Sequence, residues 1–291
     1  MEVNEIVYKE DLCPKITMFK IYVPELVRKA RAGQFVILRA YEHSERIPMS
    51  IGHLEPEDGL LTIVVMEVGM STAEIVRMDV GERFMDVVGP LGMPTHIKKY
   101  GTCVVIGGGV GIPPINPIAR ALRAEGNKVI GIIGARTKEL LILEDLIRGA
   151  VDELIITTDD GSYGMKGFVT TALQKMIDDG IEINFAMAIG PVIMMKNVAK
   201  LTEKYNIETW VSLNPIMVDG TGMCGGCRVT VGGETKFACV DGPDFDGHKV
   251  DYDELVQRQR VYLPQEKVAY EDYLHKCKIG LGKPKKVSGR K

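Results

Sequence analysis

The stretch VVIGGGVGIPP, Val104 to Pro114, places a run of glycines between an apolar β-like run and a helical run. Glycine allows tight turns and close approach of the backbone to a ligand, and the amino terminus of the following helix offers free N–H groups to a phosphate. A glycine-rich turn can be a simple connection, but its place after a strand and before a helix favours a nucleotide site. The stretch therefore predicts the strand–turn–helix unit of a nucleotide-binding fold.

Around this stretch, from Gly101 to about Leu213, apolar β runs alternate with helical segments. The β runs are CVVIGG, KVIGIIGAR, ELIITTDD, FAMAIG and ETWVSL, and the helical segments are PPINPIARALRAEG, KELLILEDLIRG, VTTALQKMIDDG and PVIMMKNVAKLTEKY. The alternation predicts an α/β, Rossmann-like domain with a parallel sheet and helices on its faces. GARTKE, TTDDGSYGMKG and AIGPVIMM follow the strands, at the edge where such sheets bind ligands.

Upstream, from Met1 to about Ile97, short β-like runs are broken by glycine and proline. These runs are ITMFKIYVP, GQFVILRAY, LLTIVVMEVG and ERFMDVVGP. They predict an antiparallel β-barrel or sandwich. We place the domain boundaries at 1–98 for the β-barrel, 99–213 for the α/β domain, 214–245 for a small cysteine module and 246–291 for a tail.

The tail combines a helical and a basic segment. YDELVQRQRVYLPQE predicts a short amphipathic helix, whereas the final KCKIGLGKPKKVSGRK is basic and poor in large apolar residues. This end is either a solvated terminus or a docking segment for an acidic partner surface.

The composition excludes several classes of protein. The chain has 291 residues, 45% hydrophobic and 26% charged, with a formal charge of -3, so nothing indicates a nucleic-acid partner. The amino terminus is acidic where a signal peptide is basic, and no apolar stretch reaches membrane-spanning length. We expect a soluble, cytoplasmic protein with no membrane partner.

Three of the six cysteines crowd into MVDGTGMCGGCRV and KFACV, while the others lie far apart. Clustered thiols in a reducing compartment more often hold metal than form disulfides. Plant-type [2Fe-2S] sites begin C-x4-C-x2-C and end with a distant cysteine, and counting back from the second position of that spacing lands on an aspartate. The predicted metal ligands are Asp219, Cys224, Cys227 and Cys239.

Two alternatives to this ligand set stay open. In the first, Asp219 caps a turn while Cys224, Cys227 and Cys239 bind zinc with a remote ligand such as His248, because zinc accepts mixed cysteine and histidine sites. In the second, His248 is a ligand of the cluster. Among the other thiols, Cys103 lies in an apolar run and is expected in the core. Structural or incidental roles are expected for Cys13 and Cys277.

The ordered motifs RIPMSI, VVMEVGMST, GPLG, GGGVGIPP, GART and IGPVIMM resemble those of the ferredoxin-NADP reductase superfamily, over about Met1 to Leu213. The resemblance implies FAD on the barrel and a nicotinamide nucleotide on the rear domain. It implies FAD contacts from Arg46, Pro48, Met49, Ser50, Val68, Gly69, Ser71 and Thr72. Arg46 would pair with the pyrophosphate and Ser50 would hydrogen-bond the flavin ring.

Some of these residues have simpler explanations. Arg46 can form an ordinary surface ion pair, and Ser71 and Thr72 can cap a helix. Ser71 also departs from the glycine usual in the superfamily, which weakens the expectation of a backbone contact with phosphate there.

For the nicotinamide nucleotide, the same resemblance implies contacts from Gly108, Gly109, Gly111, Pro113, Arg136, Asp160, Gly161, Gly190 and Pro191. Ile189 stands where the superfamily often has a cysteine, so no thiol is expected beside the nicotinamide. The choice of NAD(H) rests on resemblance, since Arg136 alone does not define a 2′-phosphate pocket.

A [2Fe-2S] module after such a reductase core resembles two related families of electron-transfer subunits. One serves dihydroorotate dehydrogenase and normally has cysteine in place of Asp219; the other serves electron-bifurcating NADH-dependent reduced ferredoxin:NADP oxidoreductase. The second resemblance implies FAD, a [2Fe-2S] cluster, NAD(H) and a larger partner subunit with flavin and [4Fe-4S] clusters. A non-catalytic, zinc-stabilised or redox-sensing binding module is the alternative from another class.

Overall fold

The computed structural model describes residues 1–279, and the predicted basic end beyond them lies outside the described residues. The first part of the chain is antiparallel. Its elements are β1 (Ile6–Cys13), β2 (Ile16–Tyr22), α1 (Pro24–Lys29), β3 (Phe35–Arg39), β4 (Ile47–Ser50), β5 (His53–Glu55), β6 (Leu60–Met66), α2 (Met70–Val76) and β7 (Asp86–Leu91). The strands pair in the orders β1-β2-β6-β5 and β4-β3-β7.

The barrel closes over an apolar core because its strands alternate in side-chain direction. In β2, Phe19 and Ile21 are fully buried while Lys20 between them is partly exposed. Leu61, Ile63 and Val65 repeat this alternation on β6, which pairs antiparallel with β2. The predicted antiparallel barrel is confirmed.

The second part of the chain alternates strands and helices. Its elements are β8 (Thr102–Gly108), α3 (Ile112–Ala124), β9 (Lys128–Ala135), α4 (Glu144–Arg148), β10 (Glu153–Thr158), β11 (Met165–Lys166), α5 (Val169–Asp178), β12 (Phe185–Ile189), α6 (Val192–Glu203) and β13 (Glu208–Ser212). These strands pair in parallel in the order β11-β10-β9-β8-β12-β13. Strand β8 is buried on both faces, as its unbroken apolar run requires.

One predicted helix differs from the observed structure. KELLILEDLIRG folds as a 3-10 turn over Lys138–Leu140 and the short α4, rather than as one helix. Leu143 takes a left-handed conformation, with φ of 56°. That conformation interrupts a right-handed helix, so α4 begins only after it.

The cysteine module and the tail are tied to the two preceding domains. Strands β14 (Arg228–Val231) and β15 (Glu234–Phe237) form a hairpin, and β16 (Asp244–Asp246) pairs antiparallel with β13, at the edge of the α/β sheet. The tail forms α7 (Tyr252–Gln259) and α8 (Leu263–Lys278), two helices where the sequence predicted one.

Helix α8 packs against the barrel of its own chain. The Tyr270 hydroxyl donates to Glu67 Oε1 over 2.6 Å, and the Arg77 guanidinium lies 5.6 Å from the ring centre of the buried Tyr273. The described part of the predicted docking tail is therefore partly occupied by contacts within the chain. Within residues 1–279, no helix combines the length and apolar character needed to cross a membrane.

Candidate cofactor and cluster sites

A cleft of about 1060 Å³ opens where the barrel, the carboxyl edge of the parallel sheet and the start of the cysteine module meet. The residues of the predicted cofactor set that line it are Pro48, Ser50, Gly108, Gly109, Gly111, Arg136, Gly190 and Pro191. The structure therefore brings predicted flavin residues and predicted nucleotide residues to one cavity, as chemistry between two cofactors requires.

The glycines of the nucleotide loop are required by close packing against the end of β12. A Cβ on Gly111 would lie 2.1 Å from the Ile189 carbonyl oxygen, and one on Gly108 would lie 2.5 Å from Met194 Sδ. Gly109 has a φ of 56°, in the left-handed region that favours glycine. The loop thus presents bare backbone to the cleft at the start of α3, which fits a pyrophosphate group. Pro113 does not line the cleft and instead approaches Gly52 of the barrel.

On the flavin side, the two residues given the clearest roles are free to bind. Ser50 is exposed and lines the cleft. Arg46 is exposed immediately before β4, and within residues 1–279 its guanidinium has no ion pair or hydrogen bond, so the surface ion-pair alternative is not what the structure shows. A free guanidinium at this position fits the FAD pyrophosphate. Met49 lies between them on β4.

The second flavin stretch is already engaged in local structure. Thr72 Oγ1 accepts hydrogen bonds from Val68 N at 2.9 Å and Gly69 N at 3.1 Å, so it caps α2 as the simpler explanation predicted. Ser71 Oγ donates to Glu45 Oε2 over 2.5 Å. Neither hydroxyl lines the cleft, and their FAD contacts stay a prediction.

On the adenosine side, Arg136 lines the cleft whereas Asp160 does not. Asp160 Oδ1 accepts from Ser162 Oγ at 2.7 Å and from Ser162 N at 2.9 Å, and these bonds hold the pKa of the Asp160 carboxyl below its usual value. With Gly161 at a φ of 80°, Asp160 forms a turn. The neighbouring Asp159 is the carboxylate that lines the cleft.

Sequence reasoning missed several cleft residues. Phe168 and Ile193 line the cleft although their side chains are 64% and 61% exposed, which makes them apolar surfaces for a nucleotide base. Phe168 immediately precedes α5 and falls between the stretches TTDDGSYGMKG and VTTALQKMIDDG, so no motif included it. The start of the cysteine module, including Asn214, Pro215 and Met217, also lines the cleft, and no motif pointed to it.

The four predicted metal ligands stand as two pairs. Asp219 Oδ1 lies 3.0 Å from Cys224 Sγ, and Cys227 Sγ lies 3.2 Å from Cys239 Sγ. Within residues 1–279, no three His, Cys, Asp or Glu side chains converge around one point as they would around a single ion. A two-by-two arrangement of three thiols and one carboxylate fits a binuclear cluster, in which each iron takes two protein ligands.

Asp219 also organises the loop that carries Cys224. Its Oδ2 accepts from Thr221 Oγ1 at 3.0 Å, Met223 N at 3.1 Å and Cys224 N at 3.3 Å. Hydrogen bonds from the Cys224 thiol, then from Thr221 and Met223, lower the pKa of the Asp219 carboxyl to about 2. The Asp219 carboxylate is ionised. Its Oδ1 contacts the Cys224 thiol, while its Oδ2 accepts most of the hydrogen bonds from the loop. Turn capping and metal ligation are therefore compatible here.

The second pair is buried. Burial, then the hydrogen bond between Cys227 and Cys239, raises the pKa of the Cys239 thiol to about 12. Metal binding at this pair must displace protons, as it does at thiolate sites generally. His248, the remote zinc ligand of the alternative, instead lies 3.0 Å from the Thr202 hydroxyl through its Nε2.

The cluster loop lies against the barrel. A Cβ on Gly220, which has a φ of 73°, would lie 2.8 Å from Ile37 Cγ1 on β3. From α7, Arg258 Nη2 donates to the Gly226 carbonyl over 3.3 Å, and within the described chain its buried Nε has no hydrogen-bond partner. A cation next to the loop complements the negative charge of four anionic ligands.

Comparison with known proteins agrees with this geometry. The family model "Iron-sulfur cluster binding domain of dihydroorotate dehydrogenase B" matches residues 214–251, which include both ligand pairs. A Thermotoga maritima protein described as a dihydroorotate dehydrogenase B (NAD(+)), electron transfer subunit homolog is 47% identical over 271 residues, covering 93% of this chain and 95% of that protein. The dihydroorotate dehydrogenase B (NAD(+)), electron transfer subunit of Streptococcus thermophilus is 33% identical over 257 residues, covering 84% and 96%.

A solved structure of NADH-dependent reduced ferredoxin-NADP oxidoreductase, presented for its insights into flavin-based electron bifurcation, shares 46% identity with this chain. It matches with a TM-score of 0.90 over 94% of this chain and 99% of that one. The chain therefore belongs to the family of dihydroorotate dehydrogenase B electron-transfer subunits and their homologues, which are NAD(H)-dependent oxidoreductase subunits of the ferredoxin-NADP reductase superfamily that use FAD and a [2Fe-2S] cluster.

Proposed function

We propose that this chain is the electron-transfer subunit of an electron-bifurcating NADH-dependent reduced ferredoxin:NADP oxidoreductase. The observation that carries the proposal is the continuity of its sites: the cleft between barrel and parallel sheet is also lined by Asn214, Pro215 and Met217, and the ligand loop begins two residues later. The likeness to the solved oxidoreductase, at 46% identity and a TM-score of 0.90, supports it.

The chain's own residues would hold and orient the reactants. When bound, FAD accepts a hydride from NADH and releases electrons singly, and a [2Fe-2S] cluster carries single electrons. Gly108, Gly109 and Gly111 would present backbone to the nucleotide pyrophosphate, and Arg136 would face its adenosine end. Arg46 would pair with the FAD pyrophosphate, and Ser50 would donate a hydrogen bond to the flavin ring without blocking it.

Asp219, Cys224, Cys227 and Cys239 would hold the cluster. Their two-by-two pairing and the backbone bonds of Asp219 support this assignment. A carboxylate is a harder and less electron-donating ligand than thiolate, but it carries the same single negative charge.

The partner in this proposal is a larger subunit with flavin and [4Fe-4S] clusters, and it would dock over the ligand loop. Met223, between the first and second ligands, is 89% exposed, and Val218 and Val240 beside the loop are 56% and 40% exposed. Exposed apolar side chains around a redox site are typical of a protein interface. A cytoplasmic location also belongs to the proposal.

The second candidate is a subunit that serves dihydroorotate dehydrogenase. The family match over residues 214–251 and the identity of 33% to the Streptococcus thermophilus subunit favour it. Asp219, where that group normally has cysteine, favours the first candidate. A zinc-stabilised or redox-sensing module has no support from His248, whose ring faces Thr202.

Anaerobic reduction of the chain, purified with its natural partner, tests the proposal. We expect NADH to reduce the complex. With NADPH as the electron donor, we expect the complex to reduce ferredoxin only when NAD⁺ is also present as an electron acceptor. Reduction by dihydroorotate, with no response to ferredoxin, would replace the first candidate with the second. Absence of flavin absorbance and of NADH oxidation would leave only the binding-module alternative.

A further inference from the structure

A buried amide outside the cofactor motifs joins the barrel to the nucleotide domain. Asn116, in the first turns of α3, is 0% exposed. Its Nδ2 lies 3.0 Å from the Gly52 carbonyl oxygen and 3.0 Å from His53 Nδ1. Gly52 and His53 belong to the barrel, so one amide group connects two domains.

The partners of this amide fix its orientation. Arg120 Nε donates to Asn116 Oδ1 over 3.0 Å, and a guanidinium has only donors. The NH₂ group of Asn116 therefore faces the barrel and donates both of its hydrogens, one to Gly52 and one to His53. It follows that His53 Nδ1 accepts, which requires an imidazole without a proton on that nitrogen.

Close packing accompanies these bonds. A Cβ on Gly52 would lie 3.1 Å from Pro113 Cβ, so the absence of a side chain lets α3 approach the barrel. Gly52 N also donates to the Thr62 carbonyl over 2.9 Å, which anchors this turn to β6. Gly52 is thus packed against α3 on one side and hydrogen-bonded to β6 on the other.

The two ends of the contact adjoin the two halves of the cleft. Ser50 precedes Gly52 by two residues, and Gly111, immediately before α3, precedes Asn116 by five residues. We propose that Asn116, with His53 as its acceptor, is a positioning residue that sets the distance between the flavin-side strand and the nucleotide loop for hydride transfer. This inference rests on the proposed NADH-to-flavin chemistry.

The contact should respond to pH because it needs a neutral imidazole. The pKa of His53 is lowered by burial, then by Arg120 on α3 and by Lys20 on β2, while Glu55 on β5 opposes them. When His53 gains a proton at acidic pH, both ring nitrogens become donors and Nδ1–H faces the donating NH₂ of Asn116. The bond from Asn116 to His53 is then lost, while the bond from Asn116 to the Gly52 carbonyl remains.

Two variants and a matched control test the proposal in the full chain with FAD bound. Asn116→Leu keeps a similar volume and removes the bonds. Asn127→Leu is the control, because Asn127 is also buried, at 5% exposed, but bonds only to residues between 98 and 122. The measurements are FAD content, the rate at which NADH reduces the flavin, and the long-wavelength charge-transfer absorbance between reduced flavin and NAD⁺.

We expect Asn116→Leu to retain FAD and to lose the charge-transfer absorbance. Its reduction rate should fall about 10-fold to 100-fold, with a smaller change in the NADH concentration for half-maximal rate, since misplacement of the reactants by about 1 Å has that effect. Asn127→Leu should change neither readout. Equal rates and equal absorbance in the two leucine variants would overturn the proposal.

Asn116→Asp provides a second test that does not depend on the leucine variant folding. Its carboxylate cannot donate to His53, but it can accept from a protonated His53, so the pKa of His53 measured by NMR should rise. Reduction by NADH should then recover as pH falls, opposite to the wild-type trend. An unchanged His53 titration would contradict the inference. Failure of NADH to reduce even the wild-type chain would instead remove the proposed function, while the NMR titration would still report on the contact.

Discussion

The interdomain cleft and the cysteine loop differ in how their candidate residues are held. In the cleft, these residues lie at strand ends and helix starts that are packed in the hydrophobic core. In the loop, Asp219 and Cys224 lie on a surface turn. Gly111 is held against the Ile189 carbonyl by the packing of two regular elements. Cys224 is exposed, and the loop bonds of Asp219 give its turn shape. The comparison indicates that the hydrophobic core forms the cleft, whereas local hydrogen bonds to Asp219 form the cysteine loop.

Loss of the buried candidate ligand Cys239 should have the largest effect on cofactor content. It tests most clearly whether the cysteine module and the cleft bind their cofactors independently. We expect Cys239→Ala to lose essentially all iron and sulfide while it keeps FAD, because the flavin-side residues Arg46 and Ser50 lie on or next to β4, outside the cysteine module. Metal analysis and flavin absorbance measure both. Cys103→Ala is the control, since Cys103 is equally buried but lies in β8. Loss of FAD together with iron in Cys239→Ala alone would show that the regions fold as one unit.

Asp244 tests whether burial in the core determines the stability of the segment that joins the cysteine module to the parallel sheet. This carboxyl is buried where β16 joins the sheet, its Oδ2 accepts from Thr95 Oγ1 over 2.5 Å, and burial raises its pKa to about 6. Because the folded state binds the proton more tightly than the unfolded state, stability should fall as pH rises from about 4 to about 6, by about 3 kcal/mol in total.

Asp244→Asn should remove that dependence and stabilise the chain at pH 7 by up to the same amount. Urea unfolding of the wild type and of Asp244→Asn at pH 4, 5, 6 and 7 measures the free energy of unfolding and its pH dependence. Parallel pH profiles for the wild type and the variant would mean that folding does not raise the pKa of Asp244.

Arg46 tests the flavin side, where an exposed guanidinium without a partner in the described chain precedes β4. Arg46→Gln should weaken FAD binding about 10-fold to 100-fold, because a hydrogen bond between charged groups contributes roughly 1.5–3 kcal/mol. Equilibrium titration of the apoprotein with FAD measures this change, and iron content should stay the same. Arg28→Gln, at an exposed ion pair with Glu25, is the control. Equal FAD affinity in both variants would remove Arg46 from the site.

Asp219→Cys should have the smallest effect on the content of iron, sulfide and FAD, and it tests whether Asp219 binds iron. We expect the cluster to remain and its reduction potential to become more negative, since thiolate donates more electron density to iron than carboxylate does. Redox titration followed by electron paramagnetic resonance measures the shift. Asp178→Asn, at the exposed end of α5 and outside the cysteine module, should leave the potential unchanged. An identical potential and spectrum in Asp219→Cys would show that Asp219 does not bind iron.

The same contrast explains what the sequence could predict. The antiparallel barrel and the parallel sheet follow from apolar periodicity. Cysteine spacing predicts the candidate ligand set, whose members the structure places in two pairs. Phe168 and Ile193 could not be predicted as cleft residues, because only the packing of α5 and α6 on the sheet brings them to its edge. The Asn116–His53 contact joins residues 63 positions apart, and no local pattern marks such a pair.

The most direct test of the account is the content of iron, acid-labile sulfide and FAD in the anaerobically purified chain, together with its absorbance spectrum. The account predicts two irons, two sulfides and one FAD per chain, which follows from one binuclear cluster and one flavin site. Zinc without sulfide would contradict it and would make the cysteine module a structural clip on a simple flavin reductase.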